Sequence, residues 1–390
     1  MDASRFVAPA FGEAVRTVGS HGYVAFRPAR ILREVELDAR TVLSLSEADR
    51  ALGRLAGAGR LMPNPHLLLQ PYVAREALAS SRIEGTQASL SDVFDAQARQ
   101  APEGDVVEVT NYIAALEYGL GRLRTLPVSR RLLCEVHRIL LDEARGQERR
   151  PGEFRRTQNW IGSADDRPDT AAFVPPTVED MEPALDDLER FVHEETQLPP
   201  LVKVALVHYQ FETIHPFLDG NGRLGRLLIA FLLVEQELLP SPLLYLSAYF
   251  ERRRSEYYDR LQAVRERGEL AEWLVFFLTG VTEQANDAVR RAERLVDVRE
   301  DFRQRLAGDR SRAGDVIDLL LENPIVTTGR VATALGTTLQ GALNNVRRLE
   351  EAGLVTEVEG IPGRSKRWVA LDVLRALDPD AVPALARRGG

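Results

Sequence analysis

The chain has 390 residues, 44% of them hydrophobic, with 50 Lys and Arg against 58 Asp and Glu for a net charge of −8. That is material for two or three domains with ample cores, and the acidic balance excludes a protein that coats nucleic acid or an anionic membrane through general charge. The single cysteine, Cys134, excludes a disulfide framework and stands in the apolar run Leu132–Val136, where packing rather than chemistry is expected, so a cytoplasmic address fits.

No charged leader precedes a long apolar stretch, and no run approaches the ~18 apolar residues that span a bilayer, so neither secretion by that route nor membrane anchorage is expected. The first ~30 residues, with Pro9, Gly12, Gly19, Gly22 and Pro28, show little periodicity and read as an arm across the body. Ser46 is a fitting N-cap for a short helix towards Arg60, weakened by Gly53, Gly57 and Gly59, and Pro63, Asn64 and Pro65 then break the chain. Pro71 as the first helical residue and Gly85 just past the end bound a helix over Tyr72–Glu84. Ser80 and Glu84 share one face of it, and Glu84 in the last turn opposes the helix dipole, which calls for a cationic partner from elsewhere.

Helices are expected over Val107–Leu123 and Ser129–Glu143, separated by Leu126-Pro127. Asn159–Gly162 and Ala172–Pro176 are two short extended pieces about a polar loop, the pattern of a β-hairpin whose edge can accept an extended segment of another protein.

Val202, Ala205, Leu206, Tyr209 and Ile214 then recur at helical spacing, and Leu227–Val234 is wholly apolar. Between these two core helices lies His215-Pro216-Phe217-Leu218-Asp219-Gly220-Asn221-Gly222-Arg223-Leu224-Gly225-Arg226. Gly220 and Gly222 free the backbone for positive φ and close approach to a ligand, and a helix starting near Asn221 aims unpaired N–H groups and its positive dipole end into the turn, as a phosphate cradle requires. Arg223 and Arg226 add charge-assisted contacts to phosphate oxygens; Asp219 is a hard oxygen ligand of the kind Mg²⁺ takes beside nucleotide phosphates, and His215 is a base near neutral pH. Singly these residues read as a capped helix start, a satisfied histidine and surface arginines. Gathered in one turn they read as a phosphoryl-transfer site.

Leu246–Phe250 leads into a helix with Arg254, Tyr257, Tyr258, Leu261 and Val264, whose aromatics either pack in the core or lie beside a nucleobase. Trp273–Val281 reads as a last apolar helix, and 282–309 as a charged, solvated connecting helix. A compact pattern follows: helices Ala313–Glu322, Gly329–Leu335 and Leu339–Ala352, a strand Leu354–Val358, a turn Gly360–Gly363 and a strand Arg367–Leu371. Three helices and a two-stranded wing resemble a winged helix-turn-helix domain. Seven basic and eight acidic residues lie between Ala313 and Arg375, which leaves no general footprint for DNA. Arg364, Lys366 and Arg367 on the wing, with Gln340, Asn344 and Asn345 on the second helix of the pair, keep DNA contact open beside a docking or homodimer role.

The twelve residues from His215 to Arg226 match at every fixed position the HPFx(D/E)GNGRxxR motif, and the chain is thereby similar to the Fic family. The resemblance implies a mainly α protein, a Fic-type helical bundle with a small β-hairpin flap, joined to the C-terminal winged helix. The expected segments are an N-terminal region 1–105 containing the helix over 72–85, a catalytic core 106–281, a connector 282–309, the winged domain 310–377 and a tail 378–390. The implied activity is transfer of AMP from MgATP to a Tyr, Thr or Ser hydroxyl of a target protein or of the enzyme itself. On that reading His215 takes the hydroxyl proton, Asp219 holds Mg²⁺, the backbone at Gly220, Asn221 and Gly222 binds the α-phosphate, and Arg226 takes the γ-phosphate. Arg223, Leu224 and Gly225 complete the nucleotide-binding turn. The glycine at 222, where some relatives carry lysine, favours AMP transfer over phosphorylation.

Ser80-Ser81-Arg82-Ile83-Glu84-Gly85 resembles the family's inhibitory (S/T)xxxE(G/N) motif, which implies that Glu84 pairs with Arg226 and keeps ATP from binding productively. Likewise Ile161 and Gly162 are the expected flap contacts, and Tyr258, in preference to Tyr257, the expected adenine neighbour. Two other readings stand beside this one. One is a transcriptional regulator whose nucleotide pocket only senses; the other is an enzyme that removes AMP, with Glu84 positioning water.

Overall fold

The computed structural model describes residues 1–18, 22–61, 66–162, 167–358 and 366–379, with 60, 61 and 66–69 described by their backbone only. The expected break at Pro63–Pro65, the turn Gly360–Gly363 with Arg364, and the tail from 380 lie outside the described residues. In chain order the elements are β1 (Gly12–Arg16), β2 (Val24–Pro28), α1 (Ala39–Leu61), α2 (His66–Ile83), α3 (Leu90–Arg99), α4 (Asp105–Arg122), α5 (Arg130–Leu140), α6 (Val178–His193), α7 (Pro200–Ile214), α8 (Asn221–Glu235), α9 (Ser247–Arg252), α10 (Arg254–Arg267) and α11 (Leu270–Arg305). Then come α12 (Val316–Glu322), β3 (Ile325–Thr327), α13 (Thr328–Leu335), α14 (Leu339–Glu351), β4 (Thr356–Val358), β5 (Arg367–Val369) and α15 (Leu371–Leu377). They form two compact units, 1–56 with 114–284 and 57–113 with 285–390.

The first unit is organised around α7, which is buried at every position from Leu201 to Ile214. Such a helix has no solvent face, so its sequence carries almost no amphipathic signal; α8, buried from Arg223 to Leu233, packs along it. Helix α6 covers α7 and α5 covers α8. The Trp273 indole donates to the Ala205 carbonyl at 3.1 Å, and His208, Tyr257, Phe276 and Phe277 ring it. Each such large apolar side chain contributes about 1.5–3 kcal/mol when fully buried.

Several expectations are corrected here. Strands β1 and β2 pair antiparallel, Gly12 opposite Pro28 and Arg16 opposite Val24, where an irregular arm was expected. Strand β2 buries the adjacent Ala25 and Phe26, so the period-2 signal is absent, and the Phe26 N–H extends the sheet to the Val174 carbonyl at 2.9 Å. Helix α1 begins upstream of Ser46, with the Asp38 carboxylate accepting from Thr41 N at 2.7 Å. The hairpin expected over 159–176 is reduced, among the described residues, to one antiparallel bridge between Ile161 and Phe173. Helix α11 runs unbroken to Arg305, because Ala285, Ala288, Ala292, Leu295 and Phe302 continue a buried stripe beneath the charges that read as a connector.

In the second unit Pro71 lies inside α2 rather than at its start. The packing of Tyr72, Val73, Ala74, Ala77 and Leu78 outweighs the lost backbone hydrogen bond. Helix α2 packs on α12, and α3 on β3, so residues 66–99 share a core with the C-terminal elements instead of belonging to a separate N-terminal region. Strands β3, β5 and β4 form an antiparallel sheet in that order, with Ile325–Thr327 as a strand the sequence did not suggest and α15 following it. Helices α13 and α14 pack together as the sequence suggested, each N-capped by a threonine, Thr327 and Thr338. Among the described residues no helix is long and apolar enough to cross a membrane.

Candidate functional site

Helix α7 ends at Ile214, and His215 follows in the left-handed region at φ 49, ψ 60. For a side-chain-bearing residue this costs about 1–2 kcal/mol, so the surroundings must hold it. They do so through main-chain clamps. The His215 carbonyl accepts from Arg155 Nε at 3.1 Å and from Asn159 Nδ2 at 3.1 Å. Asn159 Nδ2 also donates to the Phe217 carbonyl at 2.8 Å, and Arg155 N donates to the Pro216 carbonyl at 2.9 Å. Both clamping side chains are buried, and burial pulls the Arg155 pKa down only to about 10, so it stays charged at neutral pH.

The turn is braced from α5 as well. The His137 ring stacks on Phe217 with centroids 3.9 Å apart. Its Nδ1 accepts from Gly152 N at 2.8 Å, which leaves the proton on Nε2 to donate to the Asp219 carbonyl at 2.9 Å. Burial lowers the His137 pKa to about 4 and so favours this neutral tautomer. Asn221 spends its carboxamide on the turn, accepting from Phe217 N at 2.9 Å and donating to Phe217 O at 2.8 Å. Its expected contribution to phosphate binding therefore falls to its backbone N–H.

Helix α8 starts at Asn221 behind Gly220, whose φ of 74 is the left-handed value glycine supplies. Gly222 lies within the helix and is not among the positive-φ glycines, so only one of the two glycines is required by its backbone angle. No side chain caps this helix start and no acidic residue occupies its first turn, so its N–H groups and positive dipole end remain directed at the turn. Arg223 and Arg226 are 2% and 3% exposed, held inside the bundle rather than on its surface. Gly225 O accepts from His208 Nδ1 at 3.0 Å, while His208 Nε2 faces the Tyr257 hydroxyl at 2.9 Å. Burial first, and the Arg226 charge after it, push the His208 pKa down to about 3.

Asp219 keeps a carboxylate 42% exposed, with Oδ1 accepting from Gly220 N at 2.6 Å and lying 3.8 Å from Arg223 Nη2. Gly146 faces the other oxygen: a Cβ there would stand 2.6 Å from Oδ2. The space before Oδ2 thus exists because residue 146 has no side chain. Among the described residues no group of three or more His, Cys, Asp or Glu could hold a metal by itself.

The remaining expected residues fall as follows. Tyr257 is fully buried and belongs to the core, while Tyr258 is 38% exposed with the Arg254 guanidinium over its ring at 6.0 Å. Ile161 N and O both face Phe173, at 2.8 and 3.1 Å, so its backbone groups are taken up by that bridge. In an antiparallel ladder the outward-facing groups are those of the flanking residues, so Trp160 and Gly162 carry the other edge. Ser80, Glu84 and Gly85 belong to the second unit. Ser80 is buried in α2, Glu84 is half-buried just past its end, and Gly85 turns the chain at φ 104. In that unit Lys366 pairs with Glu357 at 2.7 Å and Arg367 with Asp95, so two cations counted towards DNA have acidic partners.

Arg155, Asn159, His137, His208 and Gly146 were not anticipated. The only sequence signal was a histidine on the apolar face of α5, with Leu133, Val136 and Leu140 around it.

A helical bundle whose two central helices meet at a braced polar turn, with an uncapped helix N-terminus beside a histidine and a carboxylate, is built to hold an anionic group next to a base. Residues 42–121 match the Fic/DOC family N-terminal region, and residues 127–233 match the Fic/DOC family domain. A protein from Drosophila grimshawi named Protein adenylyltransferase Fic is 28% identical over 259 residues, 64% of this chain and 49% of that protein. A protein of the same name from Culex quinquefasciatus is 29% identical over 214 residues, 53% of this chain and 39% of that one. The chain thus spans about half or less of the curated relatives it matches. A crystal structure of a Fic family protein from Desulfovibrio desulfuricans G20 shares the fold with TM-score 0.56 at 20% identity, over 86% of this chain and 97% of that one. A Fic domain containing signaling protein from Bacteroides thetaiotaomicron VPI-5482 does so with TM-score 0.51 at 19% identity, over 64% and 97%.

Proposed function

We propose that this protein is an autoinhibited adenylyltransferase that moves AMP from MgATP to a Tyr, Thr or Ser hydroxyl of target proteins and of itself. The observation that carries the reading is the turn: an uncapped α8 start, held by buried donors against a histidine in a left-handed conformation. The first-turn N–H groups of α8 bind the α-phosphate of ATP, and Arg226 binds the γ-phosphate. The target hydroxyl attacks the α-phosphorus and forms the new P–O bond as the bond to the β-phosphate oxygen breaks. Pyrophosphate leaves, and the hydroxyl proton passes to the His215 imidazole.

Asp219 suits Mg²⁺ in the manner typical beside nucleotides, one protein carboxylate with phosphates and water completing the shell, since its Oδ2 opens onto the space left by Gly146. The bound ion would neutralise phosphate charge. Tyr258 offers a ring face to the adenine, and the outer edge at Gly162 receives the target segment. Glu84 acts as the restraint that keeps the triphosphate out of line until displaced. The name of the Drosophila and Culex relatives supports the activity, and the Ser80–Gly85 motif supports the restraint.

Transfer of radiolabelled AMP from ATP, to the protein itself and to lysate proteins, tests this. Activity is expected to be low in the parent, high in Glu84→Gly and absent in His215→Ala with an unchanged melt. An active His215→Ala removes the histidine as base. Equal parent and Glu84→Gly activities remove the restraint.

A further inference from the structure

We infer that the C-terminal elements serve as the mount of the inhibitory segment, so that loosening them releases transfer. This rests on the reading of Glu84 above. Residues Ser80–Ile83 close α2 and Glu84 follows directly; most of a helix's stability in a protein comes from tertiary packing, so its placement depends on what packs against it. Within the second unit that support comes from far along the chain. Helix α2 lies on α12. The Tyr72 hydroxyl donates to the Ala288 carbonyl at 2.7 Å. Arg75 pairs with Asp287 at 3.1 Å, and the same carboxylate takes Arg291 Nε at 2.7 Å, while Arg291 also donates to the Leu377 carbonyl. Two opposing cations hold the Asp287 pKa down although burial acts to raise it.

The following helix, α3, is pinned the same way. Asn323, 1% exposed, donates from Nδ2 to the Phe94 carbonyl at 2.9 Å, while its Oδ1 accepts from Ile325 N at 2.8 Å at the start of β3. One carboxamide thus ties α3 to the sheet. Asp95, one residue further, is shared by Arg99 at 2.9 Å and by Arg367 of β5. A partner or ligand that shifts α12 or this sheet must break these buried ties or carry α2 and α3 along. Either way it changes how the end of α2 presents Glu84, which is a coupling between a binding surface and the restraint.

The test uses the full chain with Asn323→Ala and Arg367→Ala, each in the parent and in a Glu84→Gly background. It measures labelled AMP incorporation, thermal melts, and hydrogen exchange over 66–99. In the parent background each variant should raise incorporation by about fivefold or more, the lower range of allosteric coupling, and speed exchange at the end of α2. In the Glu84→Gly background neither should raise it further. Parent-like incorporation by the seam variants, with Glu84→Gly alone elevated, overturns the mount while leaving the Glu84 reading intact. If Glu84→Gly itself matches the parent, the Glu84 reading falls and the mount falls with it. Arg367→Ala removes a partly exposed pair, so it keeps the test decisive if the buried Asn323→Ala fails to fold.

Discussion

Replacing Asn159 by alanine isolates the clamp on the turn that holds His215. Its Nδ2 makes two hydrogen bonds, to the carbonyls of His215 and Phe217. Each intramolecular bond of this kind is worth about 0.5–1.5 kcal/mol net, so the loss is about 1–3 kcal/mol. Arg155 still bonds the His215 carbonyl and Asn221 still holds Phe217, so the fold should survive with a reduced melting temperature. What goes is the force holding His215 in its left-handed conformation. A displacement of about 1 Å at a reacting group lowers the rate by about a hundredfold, so AMP transfer should drop by about 10- to 100-fold with little change in ATP affinity. The assay is single-turnover transfer from labelled ATP in the Glu84→Gly background, with melts and ATP titration alongside. Asn159→Asp keeps the shape but turns the donor into an acceptor facing two carbonyls, and should be at least as damaging. Parent-like transfer by Asn159→Asp would refute the argument, because the side chain would then act by volume and not by donation.

Asp219→Ala should lose most transfer together with its Mg²⁺ dependence; a normal metal titration in that variant would mean other residues hold the ion. Tyr258→Ala should raise the KM for ATP several-fold and leave the melt unchanged, since the ring is 38% exposed; an unchanged KM removes it as the adenine neighbour. Acid should destabilise the first unit through two buried neutral histidines, His137 with its pKa lowered to about 4 and His208 with its pKa lowered to about 3. Unfolded histidine titrates near 6.5, so below that pH the unfolded state binds more protons. Stability is then full above about 6.5 and lost as pH falls towards about 4 and beyond, by up to about 1.4 kcal/mol per pH unit for each group. Melts between pH 8 and 4 should show this slope, and His137→Gln should flatten it; an identical slope in that variant would mean the ring is already protonated when folded.

The turn at His215–Arg226 was legible from residue types alone because its determinants are local. Base, carboxylate, helix start and arginines lie within twelve consecutive residues, and the flanking apolar runs place them between two core helices. The starts of α5, α8 and α14 were legible for the same reason, since capping and the left-handed Gly220 are decided by neighbours in sequence, whereas α5 stops at Leu140, short of the expected Glu143. What holds the turn was not legible. Asn159 and Arg155 reach His215 across more than fifty residues, and His137 reaches Asp219 across 82, so no local pattern marks them. The pairing of β1 with β2 was hidden because two adjacent residues of one strand are buried, and the continuity of α11 because its apolar stripe lies under charge. The partnership of residues 66–99 with 285–390 is tertiary in the same sense: α2 was read from its own boundary residues and α3 was not anticipated, because the groups that satisfy and cover them lie about two hundred residues away. Local sequence determined where chemistry can occur; only the folded chain decided which distant groups hold that chemistry in place, because buried polar groups must find partners wherever packing brings them.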